Sequence, residues 1–168
     1  MGKNIVLVGL MGAGKSSVGK LLSQKYSMDF VDIDEYIEQQ EKLSISDIFA
    51  NFGEKKFRQI EQNTILKISK ENDKIISTGG GALENNENYE NLSQNGILIY
   101  LKASPNVLYD RIKNETNLPL LMNENPLLTL ENLLMKREQN YLKAQIIIDT
   151  TEKTAVEIAD EIGAICKL

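Results

Sequence analysis

The 168-residue sequence contains no histidine, no tryptophan and a single cysteine, Cys166. Without histidine the commonest general base and transition-metal ligand is missing. Acid–base work then falls to carboxylates, and a metal would be held through oxygen, which points to Mg²⁺ and away from Zn²⁺. One cysteine excludes an intramolecular disulfide framework and fits a reducing cytoplasm. No apolar run reaches the roughly 18 residues of a membrane span. No basic stretch, signal-length apolar segment or cleavage site stands at the N-terminus, so the expectation is a cytoplasmic protein. A net charge of −5 without a basic stripe speaks against nucleic acid as a partner. There is no internal repeat or linker, and 168 residues suit one domain, 1–168, able to bury roughly 70% of its unfolded surface.

What is present starts with Gly9-Leu10-Met11-Gly12-Ala13-Gly14-Lys15-Ser16. An apolar run, Ile5–Val8, precedes it, and a helical pattern carrying Val18, Leu21 and Leu22 follows. A strand, a glycine-rich turn and a helix in that order form a phosphate-binding loop. Backbone N–H groups converge on phosphate oxygens and the new helix adds its positive end. Lys15 is placed to reach the β- and γ-phosphates and the Ser16 hydroxyl to ligate Mg²⁺. The residues define a nucleoside triphosphate site.

Further apolar runs at Phe30–Ile33, Ile75–Ile76, Ile97–Leu101 and Ile146–Ile148 alternate with helical patterns. That alternation, with strands apolar on both faces, predicts an α/β fold with a parallel sheet covered by helices. Ligands then collect at the carboxyl ends of the strands. Helices are predicted over Lys15–Tyr26, Glu35–Glu41, from Glu54 to about Lys70, Asn106–Lys113, about Thr129 to Ala144, and Thr154–Cys166. The polar stretch Lys113–Pro126, ending in two of the three prolines, reads as a mobile loop over the site.

Asp32-Ile33-Asp34 lies where the second strand is expected to end, and an i, i+2 spacing there points both carboxylates one way. Either one serves Mg²⁺ and the other accepts a substrate proton, or Asp34 caps the helix that follows. Arg58 and Glu61 are i, i+3 on a helix that begins after Gly53. The pair either fixes a guanidinium for ligand binding or is a surface ion pair of little energetic weight. Ser77-Thr78-Gly79-Gly80-Gly81 follows the third strand, and three glycines imply either close approach to a ligand or a plain flexible loop.

Taken in order, these motifs resemble the shikimate kinase family along essentially the whole chain. The residues that carry the resemblance are Gly9–Ser16, Asp32-x-Asp34, Gly53-Glu54-x-x-Phe57-Arg58-x-x-Glu61, Gly79-Gly80-Gly81, Pro119-Leu120-Leu121, and Arg137 with Tyr141. It implies a P-loop kinase three-layer sandwich, with a five-stranded parallel sheet in the order 2-3-1-4-5. It also implies a substrate-binding helical region at about 34–61 and a lid at about 113–126. The implied reaction moves the ATP γ-phosphoryl group to the 3-hydroxyl of shikimate, in the pathway to chorismate and aromatic amino acids, in a monomer with Mg²⁺.

On the same resemblance Lys15, Asp34 and Arg58 would be catalytic, and Gly12, Ala13, Gly14, Lys15, Ser16, Ser17 and Arg111 would bind ATP. Arg111 would lie against the adenine. Ser16 would ligate Mg²⁺ directly and Asp32 through water. Asp34, Phe49, Phe57, Arg58, Gly79, Gly80, Gly81 and Arg137 would bind shikimate, the arginines gripping its carboxylate. One position departs from the pattern: relatives carry an arginine just before the lid proline, and Leu118 stands there. Three explanations are open: Lys15 with Mg²⁺ suffices, another lid cation such as Lys113 substitutes, or activity is reduced. Two other functions compete, a kinase of another carboxylate or phosphate acceptor and a catalytically weakened nucleotide-binding regulator. A GTPase is disfavoured, because no Asn-Lys-x-Asp motif occurs and the only Asp-x-x-Gly, Asp160–Gly163, falls in the last predicted helix.

Overall fold

Among the described residues, β1 (Asn4–Val8) is the only strand buried at every position, because it runs through the centre of the sheet. Ile5, Val6, Leu7 and Val8 are at most 1% exposed, and Asn4 carries the polar load at the start. Its amide donates to the Glu71 carbonyl at 2.8 Å and its Oδ1 accepts from Lys74 N at 3.0 Å, which sets where the neighbouring strand begins. The computed structural model describes residues 2–115, 118 and 122–168. Its sheet has five parallel strands in the expected order β2-β3-β1-β4-β5, with β2 (Asp29–Asp32), β3 (Lys74–Ser77), β4 (Gly96–Lys102) and β5 (Ile146–Asp149).

The helices are α1 (Lys15–Tyr26), α2 (Ile33–Glu41), α3 (Ile45–Ile68), α4 (Asn86–Gln94), α5 (Pro105–Ile112), α6 (Pro126–Tyr141) and α7 (Ala155–Cys166), with a 3₁₀ turn at Ala82–Glu84. α1 packs on α7, α2 on α3, and α5 on α6. The register pairs Asp32 with Ser77 and Ser77 with Leu7, so three strands end in one row just below the glycine-rich loop. β1 lies between β3 and β4, where successive connections diverge, and such a switch point leaves a crevice beyond the strand ends.

Several boundaries differ from expectation for local reasons. The second strand ends at Asp32 as expected, but Ile33 is already helical, so Asp34 lies in the first turn of α2 and not on a strand. Asp32 is the residue that caps α2: its Oδ1 accepts from Asp34 N at 3.0 Å and Glu35 N at 3.2 Å. The helix expected from Thr129 begins three residues earlier and ends at Tyr141. Asn125 caps Leu128 N, and Pro126 sits at the first helical position, where its missing N–H costs nothing. The edge strands are not buried on both faces, since Asp29 and Ile147 are exposed. α3 is two helices joined at Gly53, whose φ of 81° is open to glycine and strained for other residues. Of the expected lid, Pro119, Leu120 and Leu121 lie outside the described residues.

Candidate active site

The crevice is a cavity of about 730 Å³. Its phosphate end is built by the loop before α1. Gly14 is the N-cap residue at φ 93°, and no side chain caps α1, so the first N–H groups are left for an anion. Gly12, Gly14, Lys15, Ser16 and Ser17 line the cavity, whereas Ala13 is buried behind them. Lys15 Nζ donates to the carbonyls of Gly9 and Leu10 at 2.8 and 3.0 Å. Burial pulls its ammonium down to about 8, and only the charges of Asp34 and Asp32 hold it that high.

Ser16 Oγ donates to Asp32 Oδ2 at 2.7 Å, so the two oxygens expected to serve a metal already lie together. Both line the cavity beside the phosphate loop. This donor set fits a hard cation such as Mg²⁺. Among the described residues no group of three His, Cys, Asp or Glu side chains gathers to hold a metal. A magnesium ion there would complete its shell with phosphate oxygens and water, as that ion ordinarily does.

Asp34 lines the same cavity. Burial pushes its carboxyl up to about 6, the Asp32 and Glu61 carboxylates push the same way, and Lys15 and Arg58 oppose them. Its Oδ1 is buried and has no hydrogen-bond partner among the described residues. Arg58 Nη1 donates to Glu61 Oε1 at 2.8 Å, and Glu61 is only 1% exposed. The surface-pair alternative therefore fails: removing one member of such a pair would strand a buried charge. Phe49 and Phe57 stack at 4.8 Å, and the Arg58 guanidinium lies over the Phe57 ring.

The three glycines are needed for a reason the sequence did not disclose. A Cβ at Gly79 would stand 2.9 Å from Asp34 Oδ1, and one at Gly81 would stand 2.4 Å from Arg58 Nη2. The loop is glycine where the Asp34 and Arg58 side chains crowd against it, and of the three only Gly79 and Gly80 themselves line the cavity. Gly81 has φ −95°, which alanine adopts without strain. Gly81→Ala is therefore expected to carry no backbone strain but to displace Arg58, with some loss of stability where Arg58 is drawn off the buried Glu61. The KM for an anionic acceptor should rise roughly tenfold or more, the scale of a charged hydrogen bond. An unchanged acceptor KM by steady-state assay would show that Arg58 does not bind it.

Arg137 lines the cavity with its side chain 12% exposed, and its Nε donates to Glu84 Oε1 at 2.5 Å. Lys136 takes the other Glu84 oxygen at 3.1 Å. Tyr141 Oη donates to the Gly80 carbonyl at 2.5 Å. Arg111 also reaches the cavity, held by the Thr150 carbonyl at 2.7 Å, Thr150 Oγ1 at 3.0 Å and the Gly12 carbonyl at 3.2 Å. Phe49, Phe57, Arg58 and Gly81 are not among the residues that line the cavity. Leu118 lines it and packs on the core, while Lys113 is tied to Asp110 at 2.9 Å and does not line it. Glu84 and Glu38 belong to none of the sequence motifs. Nothing marks Glu84 locally, because its partners lie on a helix 52 and 53 residues away (136 − 84 and 137 − 84).

The sheet order, the uncapped loop before α1 and the acidic crevice beside it are those of a P-loop phosphotransferase. The chain belongs to the shikimate kinase family, whose model matches residues 11–167. A shikimate kinase of Thermodesulfovibrio yellowstonii is 47% identical over 160 residues, covering 95% of this chain and 92% of the relative. One of Sulfurihydrogenibium is 42% identical with 95% of each covered. A structure of shikimate kinase from Acinetobacter baumannii in complex with shikimate superposes with a TM-score of 0.93 at 35% identity, covering 99% of this chain and 94% of that one. A gluconokinase from Sinorhizobium meliloti shares the fold alone, with a TM-score of 0.60 at 18% identity.

Proposed function

We propose that this chain phosphorylates the 3-hydroxyl of shikimate with ATP, giving shikimate 3-phosphate and ADP. The observation that carries the reading is the Asp34 carboxylate, buried and unpartnered at Oδ1, in the same cavity as the Lys15 ammonium. A base near pH 6 opposite a phosphate loop is matched to taking a proton from an acceptor hydroxyl. The hydroxyl oxygen forms a bond to the γ-phosphorus, the bond from that phosphorus to the β,γ-bridging oxygen breaks, and the hydroxyl proton passes to Asp34. Lys15 neutralises charge on the transferring group and the leaving diphosphate. Ser16 would hold Mg²⁺ directly and Asp32 through water; when bound, the ion screens the phosphates and orients them in line.

Arg137 and Arg58 supply the forks that suit a carboxylate, and Phe57 with Phe49 backs the acceptor region with an apolar surface. Arg111, held by Thr150, would cover the nucleotide base. The enzyme is proposed to act as a monomer. The free thiol of Cys166 and the absence, among the described residues, of a helix long and apolar enough to cross a membrane accord with a cytoplasmic enzyme. The test is ATP consumption with Mg²⁺ in the presence of shikimate, quinate, gluconate or AMP. Turnover that depends on shikimate is expected; turnover with another acceptor alone would replace this reading.

A further inference from the structure

We propose that Glu84 is a positioning residue: it takes the Nε edge of Arg137 and thereby aims the remaining guanidinium N–H groups at the carboxylate of the acceptor. The inference rests on the functional reading above. A guanidinium offers five donors in a rigid fork, so fixing the Nε–H in one hydrogen bond fixes the plane and direction of the others. Arg137 Nε is so held, at 2.5 Å from Glu84 Oε1, while Nη1 lies 3.3 Å from where a Cβ on the cavity-lining Gly80 would stand.

The carboxylate is itself anchored on both sides. Its second oxygen binds Lys136, whose side chain is 64% exposed, so it draws the carboxylate toward the outside of the site. Against the upward pull of partial burial, hydrogen bonds from Arg137 and Lys136 hold the Glu84 carboxyl below the ordinary range. Glu84 closes the 3₁₀ turn after the glycine loop, with Glu84 N on the Gly81 carbonyl and Ala82 N on the Gly79 carbonyl, both at 3.1 Å. The arginine of α6 is thus registered to the same loop that seats Arg58. Arg137 also interacts with the Glu61 carboxylate, the Tyr141 hydroxyl and the Lys15 charge, but the hydrogen bond from its Nε goes to Glu84.

The experiment compares the parent with Glu84→Ala and Glu84→Gln under saturating Mg²⁺, varying shikimate and ATP separately and recording thermal midpoints. Glu84→Ala should raise the shikimate KM roughly tenfold, the scale of one charge-assisted hydrogen bond, with kcat and the ATP KM within about twofold. Glu84→Gln keeps an acceptor oxygen for Nε and should recover most of that loss. A merely structural role would move both KM values and the midpoint together and would not be rescued in the shikimate KM alone. An unchanged shikimate KM in Glu84→Ala overturns the proposal, and a lowered one shows that Glu84 competes with the acceptor for Arg137. A parent that neither turns over nor binds shikimate overturns the functional reading and this inference with it. A working parent with an unaffected Glu84→Ala overturns this inference alone.

Discussion

Asp34→Asn is expected to cut kcat by roughly 10²–10⁴ and, in the same molecule, to stabilise the unliganded protein at pH 8. Both effects come from one fact. Burial, with the Asp32 and Glu61 carboxylates beside it, raises the folded-state pKa of Asp34 from 3.8 to about 6. A carboxyl whose pKa is raised by folding contributes stability that is fully present below its unfolded pKa and is lost as pH rises through the folded value. Above pH 6 the ionised Asp34 therefore strains the fold, by up to roughly 3 kcal/mol for a shift of about two units. Asparagine has the same shape and no charge to bury. Denaturant unfolding in EDTA without nucleotide should give a higher midpoint for the variant at pH 8, with the gap closing as pH falls towards 4. A variant less stable than the parent at pH 8 would falsify this account of the site. The penalty is characteristic of an active-site base: the same desolvation that destabilises the ionised carboxylate makes it a stronger proton acceptor.

Leu118→Arg is expected to raise kcat by roughly tenfold at least, with the 10³–10⁵ attached to a cation that meets the transferring phosphoryl group as the upper limit. The cavity is poor in free positive charge. Among the described residues that line it, Arg111 is committed to Thr150 and Arg137 to Glu84, which leaves Lys15. Asp32, Asp34, Glu38 and Glu115 line the same space, so a guanidinium entering from position 118 would meet an acidic surround. Lys113, the other cation considered for this role, is engaged by Asp110 outside the cavity lining. Steady-state kinetics with saturating shikimate and MgATP read the outcome. Identical turnover in the variant would mean that Lys15 with the metal already suffices and that the leucine costs the enzyme nothing.

How much was legible depended on the range over which each feature is specified. The span Lys15–Tyr26 was read residue for residue as α1, because glycine punctuation and helical periodicity are properties of neighbours in sequence. The sheet order followed from the resemblance, and the alternating pattern agreed with a parallel sheet. Asp32 and Asp34 both line the cavity, but Asp34 reaches it from the first turn of α2 and not from a strand end. A strand end and a helix start look alike in a run of four residues, and the cap hydrogen bonds at Asp32 decided the matter. The Arg58–Glu61 pair could not be weighed from spacing, since an i, i+3 pair looks the same on a wet face as on a dry one. Only packing makes Glu61 1% exposed and the pair consequential.

The sequence by itself determined the phosphate loop, the carboxylate chemistry forced by the lack of histidine, and the family, because local patterns and residue types encode these directly. The tertiary structure alone decided that Glu84 orients Arg137 across 53 residues, that Tyr141 holds Gly80 across 61, and that Thr150 holds Arg111 across 39. Those contacts form only when parallel strands bring their carboxyl ends into one row. No local propensity records which distant side chains will share a crevice, because that depends on how whole elements bury their apolar faces.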